Sequence, residues 1–381
     1  MVDRPSILCL PVRLWLWSPT SIYCDFGSGG AVRVPEPGVP PLAFVQLLIS
    51  DALEPSAVAH FRRIIELQGT SEVELVQRDR QVPIRWFREV YPDLDPDGAT
   101  YLGLAFAEKA QLTSFGPLSL PLVSAGSVDE IFQLLGYLPV ISGALRPHFH
   151  PGEHGLTVGL SGQTGDPDLD SLVITYGGAA LLRLLDLLAG PLPGVTLHLA
   201  WPAPGVVETR TDLMSERLNF DAHTSFIDVP AEALRVRCRF PDPVAYGLAI
   251  AELRRMLDRS TSATSVTERV RRLLEQDPGR SSSRDIAALL GVSTSTMKRR
   301  LEDEGTTFRQ VRQSLLRERA IVLLLDHSLT ISQIAVDLGY GDPANFSHAF
   351  KRWTGQSPSE FRDVGRLGPG GSAVLSGSGR P

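Results

Sequence analysis

Two stretches near the C-terminus decide how this chain is read: Ile286-Ala287-Ala288-Leu289-Leu290-Gly291 and, 48 residues further on, Ile334-Ala335-Val336-Asp337-Leu338-Gly339. Each combines the apolar spacing of a helix with an alanine small enough to admit a second helix and a glycine able to make a sharp turn. An amphipathic helix follows each glycine. The chain therefore predicts two helix-turn-helix units, an arrangement that reads double-stranded DNA. The alternative for such a repeat is a helical bundle without DNA.

The first unit opens at Ser282-x-x-Asp285, the pattern of a capping box, and is expected to bury Ile286, Ala287 and Leu290. Ser293 caps its second helix. There Met297 and Leu301 face inward, which leaves Ser295, Lys298, Arg299 and Glu302 on the groove-facing side. In the second unit Thr330-x-x-Gln333 opens the first helix, Ile334, Ala335 and Leu338 are buried, and Gly339 turns the chain. Asp342 caps the next helix with Pro343 at its first position. Phe346, Phe350 and Trp353 make the inner face, so Ala344, Asn345, Ser347, His348 and Lys351 are available to DNA. Ser357-Pro358-Ser359-Glu360 starts one more helix, with Phe361 packing back.

The joining helix, read as Phe308 to Asp326, is about 28 Å long at about 1.5 Å per residue. Successive major grooves on one face of a duplex lie about 34 Å apart. A bipartite module can thus read two grooves without a dimer. Arg299 has the geometry for a guanine edge and Asn345 for adenine, each contact discriminating by about 1–3 kcal/mol. Helix-start N–H groups and Lys351 or Arg352 are the phosphate anchors.

The chain has 381 residues, 43% apolar and 21% charged, enough for two domains with full cores. Its net charge of −6 is unevenly spread. Ser265 to Asp363 holds 15 Lys/Arg against 13 Asp/Glu, a balance of +2, while the remainder carries −8. The cationic character sits where the repeat lies, clustered at Lys298-Arg299-Arg300. Cys9, Cys24 and Cys238 form no close pair, so neither a disulfide framework nor a zinc module is indicated. The scarcity of cysteine fits a reducing cytoplasm, the expected location, and no uncharged apolar run of about 18 residues is read, so no membrane partner is expected.

The expected fold is an α+β N-terminal sensing domain followed by an all-α C-terminal domain with two helix-turn-helix motifs. Residues 1–40, rich in proline and glycine, read as a disordered leader, 41–257 as the sensing and oligomerisation domain, 258–264 as a linker, 265–363 as the DNA-binding domain and 364–381 as a disordered tail. In the front part, helices are predicted at Phe61–Leu67 after a turn at Ala57–His60, at Ile84–Tyr91, at Gly98–Ala110, and at Asp129–Leu138 between Ser127 and Pro139. Leu156–Leu160, Val195–Leu199 and Ser225–Val229 alternate like strands. Leu169–Leu188 reads as an apolar helix, Asp212–Leu218 as a short one, and Val244–Leu257 as the last.

With these residues in view, a family resemblance is plain. Gly339-Tyr340, Asn345-Phe346-Ser347, Phe350-Lys351-Arg352, Gly355, Ser357-Pro358 and Phe361-Arg362 resemble the second half of the AraC/XylS regulator signature. Leu290-Gly291, Ser293, Met297 and Arg299-Arg300-Leu301 match its first half. The resemblance implies a transcription factor, usually an activator that touches RNA polymerase. In that family an arginine commonly stands at the place of His348 and a polar residue at Ala344, so the first reading helix is expected to dominate specificity. Leu42 to Leu257 resembles the arabinose-binding-like front domain of one branch, which implies sensing of a small-molecule effector, or self-association as a homodimer; a repressor, or a regulator controlled by a protein partner, is the alternative within regulation. The resemblance does not make arabinose the ligand.

No effector-binding residue is assigned by sequence, although Tyr176, Arg183 and Trp201 are candidate pocket-lining groups beside their ordinary role as core. His148-Phe149-His150-Pro151-Gly152-Glu153-His154 offers a rival reading. Two histidines sharing a strand face plus a carboxylate resemble the ligand set of a cupin-like metal enzyme or sensor, but Pro151-Gly152 reads as an exposed polar turn. Cys238, between Arg237 and Arg239 in an expected strand, lacks the surroundings of an alkylation-repair nucleophile. No phosphate loop or Ser/His/Asp signature stands out, so no enzyme, no catalytic or metal residue and no cofactor is expected.

Overall fold

The computed structural model describes residues 36–78, 81–205, 215–262, 265–276 and 279–364. Most of the expected leader and nearly all of the tail lie outside the described residues. Within the described residues, Gly38–Val39 (β1) pairs antiparallel with Val82–Pro83 (β2), and Ser142 Oγ donates to the Gly38 carbonyl at 2.8 Å. A two-stranded edge tolerates the flanking prolines that made this segment read as unstructured.

Helices α1 (Pro41–Ile49), α2 (Pro55–Leu67), α3 (Glu72–Gln77), α4 (Arg85–Val90) and α5 (Pro96–Lys109) follow. Proline opens α1, α2 and α5, where its missing N–H leaves no helical bond unmade. At α2 it carries the helix back to Pro55, so the predicted turn at Ala57–His60 is helical. The inward faces meet in an aromatic cluster, with Phe44 edge-on to Phe61 at 5.3 Å and Phe61 edge-on to Phe87 at 5.1 Å.

A 3-10 stretch at Leu112–Leu118 leads to α6 (Ser119–Ser124), α7 (Val128–Leu134) and α8 (Leu138–Ile141). Ser127 caps α7 by accepting the Glu130 N–H at 3.3 Å. The helix then stops at Leu134, short of the predicted Leu138. A 3-10 turn containing Gly136 intervenes, and Pro139 sits in the first turn of α8 instead of ending a longer helix.

Next come β3 (Leu145–Gly152), β4 (Gly155–Gly162), α9 (Pro167–Ala189), β5 (Thr196–His198), β6 (Leu218–Asn219), β7 (Phe226–Pro230), α10 (Ala231–Leu234) and α11 (Pro243–Ser262). The five strands form one sheet in the order β3-β4-β7-β5-β6, antiparallel except for β5 and β6. His148 to Gly152 is therefore strand, not exposed turn. Being the sheet's edge, β3 accommodates Pro147 and Pro151, and only Glu153 and His154 turn the hairpin.

Val158, Leu160, Leu197, Ile227 and Val229 point from the sheet into one core with Leu182, Leu185 and Leu188 of α9. Helix α9 is long and apolar enough to cross a membrane by length and composition, but here most of it is buried as the central helix of the front region. Arg88 of α4 grips its start, donating from Nε and Nη2 to both oxygens of Asp166 at 2.8 and 2.7 Å and from Nη2 to Asp168 at 2.8 Å.

Three further expectations are corrected. Of the helix read at Asp212–Leu218, residues 212–214 lie outside the described residues. Ser215–Arg217 is a single 3-10 turn, and Leu218 already belongs to β6. Buried Arg217 fixes this segment by pairing with Asp186 at 2.7 Å and donating to the Val195 carbonyl. Cys238 is in no strand: only a lone bridge joins Arg237 to Ser127, and burial pushes the buried thiol up to about 11. Finally, α11 runs through Ser262 into the stretch read as linker, because Asp258 to Ser262 contains no glycine or proline to stop it. Residues 263–264 lie outside the described residues.

The C-terminal part is helical throughout its described residues: α12 (Val266–Gln276), α13 (Ser283–Leu289), α14 (Thr294–Asp303), α15 (Phe308–Leu325), α16 (Ile331–Asp337), α17 (Pro343–Thr354) and α18 (Pro358–Val364). Its apolar side chains divide into two cores along α15. Val311 and Leu315 join the core of α12, α13 and α14, whereas Leu316, Ala320, Leu323 and Leu324 join that of α16, α17 and α18.

Candidate nucleic-acid interface

The two units repeat one local construction. Ser282 accepts the Asp285 N–H at 3.2 Å while Asp285 accepts the Ser282 N–H at 2.9 Å, and Thr330 and Gln333 do the same at 3.2 and 2.7 Å. These hydrogen bonds hold the Asp285 carboxyl below its usual range, the Ser282 hydroxyl contributing most. Helix α13 ends with Val292 N–H donating to the Ala287 carbonyl at 3.0 Å, and α16 with Tyr340 N–H donating to the Ala335 carbonyl at 2.8 Å. Both turns require a left-handed residue, supplied by Gly291 (φ 68°) and Gly339 (φ 78°). Ser293 and Asp342 then cap the second helices by accepting the Thr296 and Ala344 N–H groups.

The predicted inner faces are buried: Ile286, Ala287, Leu290, Met297 and Leu301 in the first unit, and Ile334, Ala335, Leu338, Phe346 and Phe350 in the second, with Trp353 packed partly against them. On α14, Ser295, Lys298, Arg299 and Glu302 are exposed, as are Ala344, Asn345, His348 and Lys351 on α17. Two residues differ in detail. Lys298 lies 3.8 Å from Glu302, an exposed pair of small worth. Ser347 is half-buried and donates to the Pro343 carbonyl at 2.9 Å, which leaves its hydroxyl only as an acceptor. Within the basic triplet, Arg300 is half-buried and engaged, so the exposed charge is that of Lys298 and Arg299.

One positioning contact escaped the sequence. The loop ahead of α13 abuts the second unit's turn: a Cβ on Gly279 would stand 2.7 Å from Gly339 Cα and run into the Leu338 carbonyl. Arg312 of α15 donates to the Gly279 carbonyl. The relative placement of the units thus rests on two backbones in contact, for which the sequence offered only an ordinary loop glycine.

The front sheet's outer face lies on this assembly. Gly159 of β4 has no side chain where Val322 of α15 packs. Arg146 donates to Glu268 of α12 at 2.9 Å, and His150 Nε2 to Asp326, just past α15, at 3.2 Å. His148 shares a hydrogen bond with Ser161 at 2.9 Å and faces Glu318 at 3.5 Å, while Glu318 also takes Arg271. Burial lowers His148 to about 4, with Glu318 raising it and Arg271 and Arg146 lowering it. The two histidines share a face, as strand spacing predicted, but each is spent on its own partner. Among the described residues no group of three His, Cys, Asp or Glu is arranged to hold a metal ion.

Of the expected pocket residues, Tyr176 lines a cavity in the front region. Trp201 donates from Nε1 to Thr100 at 2.7 Å and Arg183 donates to the Ala107 carbonyl at 3.4 Å, both outside that lining.

Paired helix-turn-helix units with solvent-facing second helices define a DNA-binding transcription regulator. A family model described as "Arabinose-binding domain of AraC transcription regulator, N-term" matches residues 75–237, and one described as "Helix-turn-helix domain" matches residues 286–363. The chain is similar to the HTH-type transcriptional regulator VqsM of Pseudomonas aeruginosa, 27% identical over 276 residues covering 68% of this chain and 83% of the relative. It is similar to the ornithine utilization regulator of the same organism, 26% identical over 274 residues covering 70% and 80%. The HTH-type transcriptional activator CfaD of Escherichia coli matches 102 residues at 33% identity, 26% of this chain and 38% of the relative. Over these spans the chain matches AraC-type transcriptional regulators.

Proposed function

We propose that this regulator grips promoter DNA with α14 and α17 in successive major grooves, controlled by a small molecule taken up in residues 41–257. The observation that carries the reading is the duplicated cap-glycine-cap construction on one shared helix, α15, whose 18 residues span about 27 Å. Ser295, Lys298 and Arg299 form one reading face and Ala344, Asn345, Ser347, His348 and Lys351 the other. Arg299 meets a guanine edge, Asn345 an adenine, and Lys351 a phosphate. Activation of transcription supports the same reading by analogy with the activator relative, and brings contact with RNA polymerase, homodimer formation and a cytoplasmic location. Binding-site selection from random duplexes with the purified full chain tests it. Two preferred clusters about one helical turn apart are expected. A single cluster, or binding without sequence preference, overturns the two-groove assignment.

A further inference from the structure

The front region contains a half-open pocket that DNA reading does not use. Between α1, α4, α5 and α9 lies a cavity of about 40 Å³, walled by Phe44, Leu47, Phe87, Phe106, Leu172 and Tyr176. That is about a quarter of the roughly 150 Å³ that encloses benzene, so a ring fits only by reaching out through the pocket's open side. Water is a poor occupant, since an ordered water needs two to four polar partners and this wall is mostly hydrocarbon.

Polar groups occur at the rim and in one place on α9. At the rim, Ser114 donates to Gln46, Gln46 donates to Thr113 at 3.0 Å, and Lys109 pairs with Asp51. These contacts tie α1 and the chain just after it to α5 and the 3-10 stretch beyond, and they engage each other. Tyr176 is different. It packs against both apolar clusters of the front region, and burial raises its phenol above the ordinary tyrosine range, yet part of its surface remains accessible. The residue is part of the pocket lining. Its hydroxyl forms no hydrogen bond with any described residue and is not sealed in the core, so it stands as an open donor and acceptor on a residue that lines the pocket.

We propose that this cavity binds a ring-sized apolar molecule bearing one neutral hydrogen-bonding group, its ring against Phe44, Phe87 and Phe106 and its polar group on Tyr176 Oη. A neutral group suits the site because the cation at the rim, Lys109, is already met by Asp51. The inference rests on the reading of the front region as the sensing part and gives that part its ligand class. Tyr176 stands on α9, which packs beneath the sheet whose other face lies on α15, so an occupant acts on the reading units through one helix and one sheet.

Titration of the full chain with p-cresol and with toluene, which differ by one hydroxyl, tests the site by calorimetry and thermal unfolding. The expected result is a Tm raised by p-cresol more than by toluene. Tyr176→Phe removes that difference, and Leu47→Phe, which fills the space, weakens both ligands about tenfold or more. No binding to the unaltered chain, or p-cresol binding unchanged in Tyr176→Phe, overturns the proposal. DNA affinity measured alongside separates the two readings. Tyr176-dependent binding that leaves DNA affinity unmoved upholds the site and sinks control by this ligand, whereas intact DNA binding with no p-cresol binding sinks the site alone.

Discussion

His150 on the sheet's edge strand donates to Asp326, the residue just past the end of α15, across 3.2 Å, and both side chains are largely shielded from solvent. A carboxylate only accepts, so the imidazole Nε2 carries the proton. Together with the facing of His148 to Glu318, this fastens the front region to the rod between the two reading units.

His150→Ala leaves Asp326 half-shielded without this donor. The expected loss is about 1–2 kcal/mol in urea unfolding, with faster amide exchange in β3 and in the last turn of α15. Unchanged exchange in α15 would show that the sheet does not hold it.

Acid should loosen the same seam. His148 is neutral in the folded chain, at about 4, against 6.5 when exposed. A depressed folded value means that the stabilisation is complete above about pH 6.5 and is lost as pH falls toward 4, by about 3 kcal/mol at most. Unfolding midpoints measured between pH 7 and 4.5 should fall, and His148→Gln should flatten the slope. Equal slopes in both proteins would assign the acid loss to carboxylates such as Asp166, which Arg88 holds below its usual range.

Gly279→Ala forces the two units apart, because a methyl group there meets the Leu338–Gly339 backbone. Affinity for a two-groove site should drop about tenfold or more, while affinity for either half alone changes little. A uniform loss on all three duplexes would mean simple unfolding.

Arg299→Ala should relax preference at one operator position at a cost of about 1–3 kcal/mol, whereas Lys351→Ala should weaken binding to every sequence and reduce the salt slope by about one. Competition assays over a range of salt separate the two. Sequence preference untouched by Arg299→Ala would remove α14 from base reading.

The reading units were legible because their punctuation is local: Ser282, Gly291, Ser293, Thr330, Gly339 and Asp342 act on neighbours within five residues. Tyr176 was legible as a lining candidate, but not its open hydroxyl, which depends on what α1 and α5 fail to offer. The docking of β3 was hidden for the opposite reason. His150 and Asp326 are 176 residues apart, and no periodicity in either segment names its partner. Residues 148–154 misled because proline and glycine mark turns in general, and only the sheet order shows that these occupy an edge.

The division of α15 between two cores makes the halves of the C-terminal part inseparable. Val311 and Leu315 complete one, and Leu316, Ala320, Leu323 and Leu324 complete the other, so the boundary falls between adjacent residues of one unbroken helix. A fragment bearing either half would keep a helix with much of its apolar stripe uncovered. Order in one half is therefore a condition for order in the other, and the smallest piece of this chain able to survive alone is the pair.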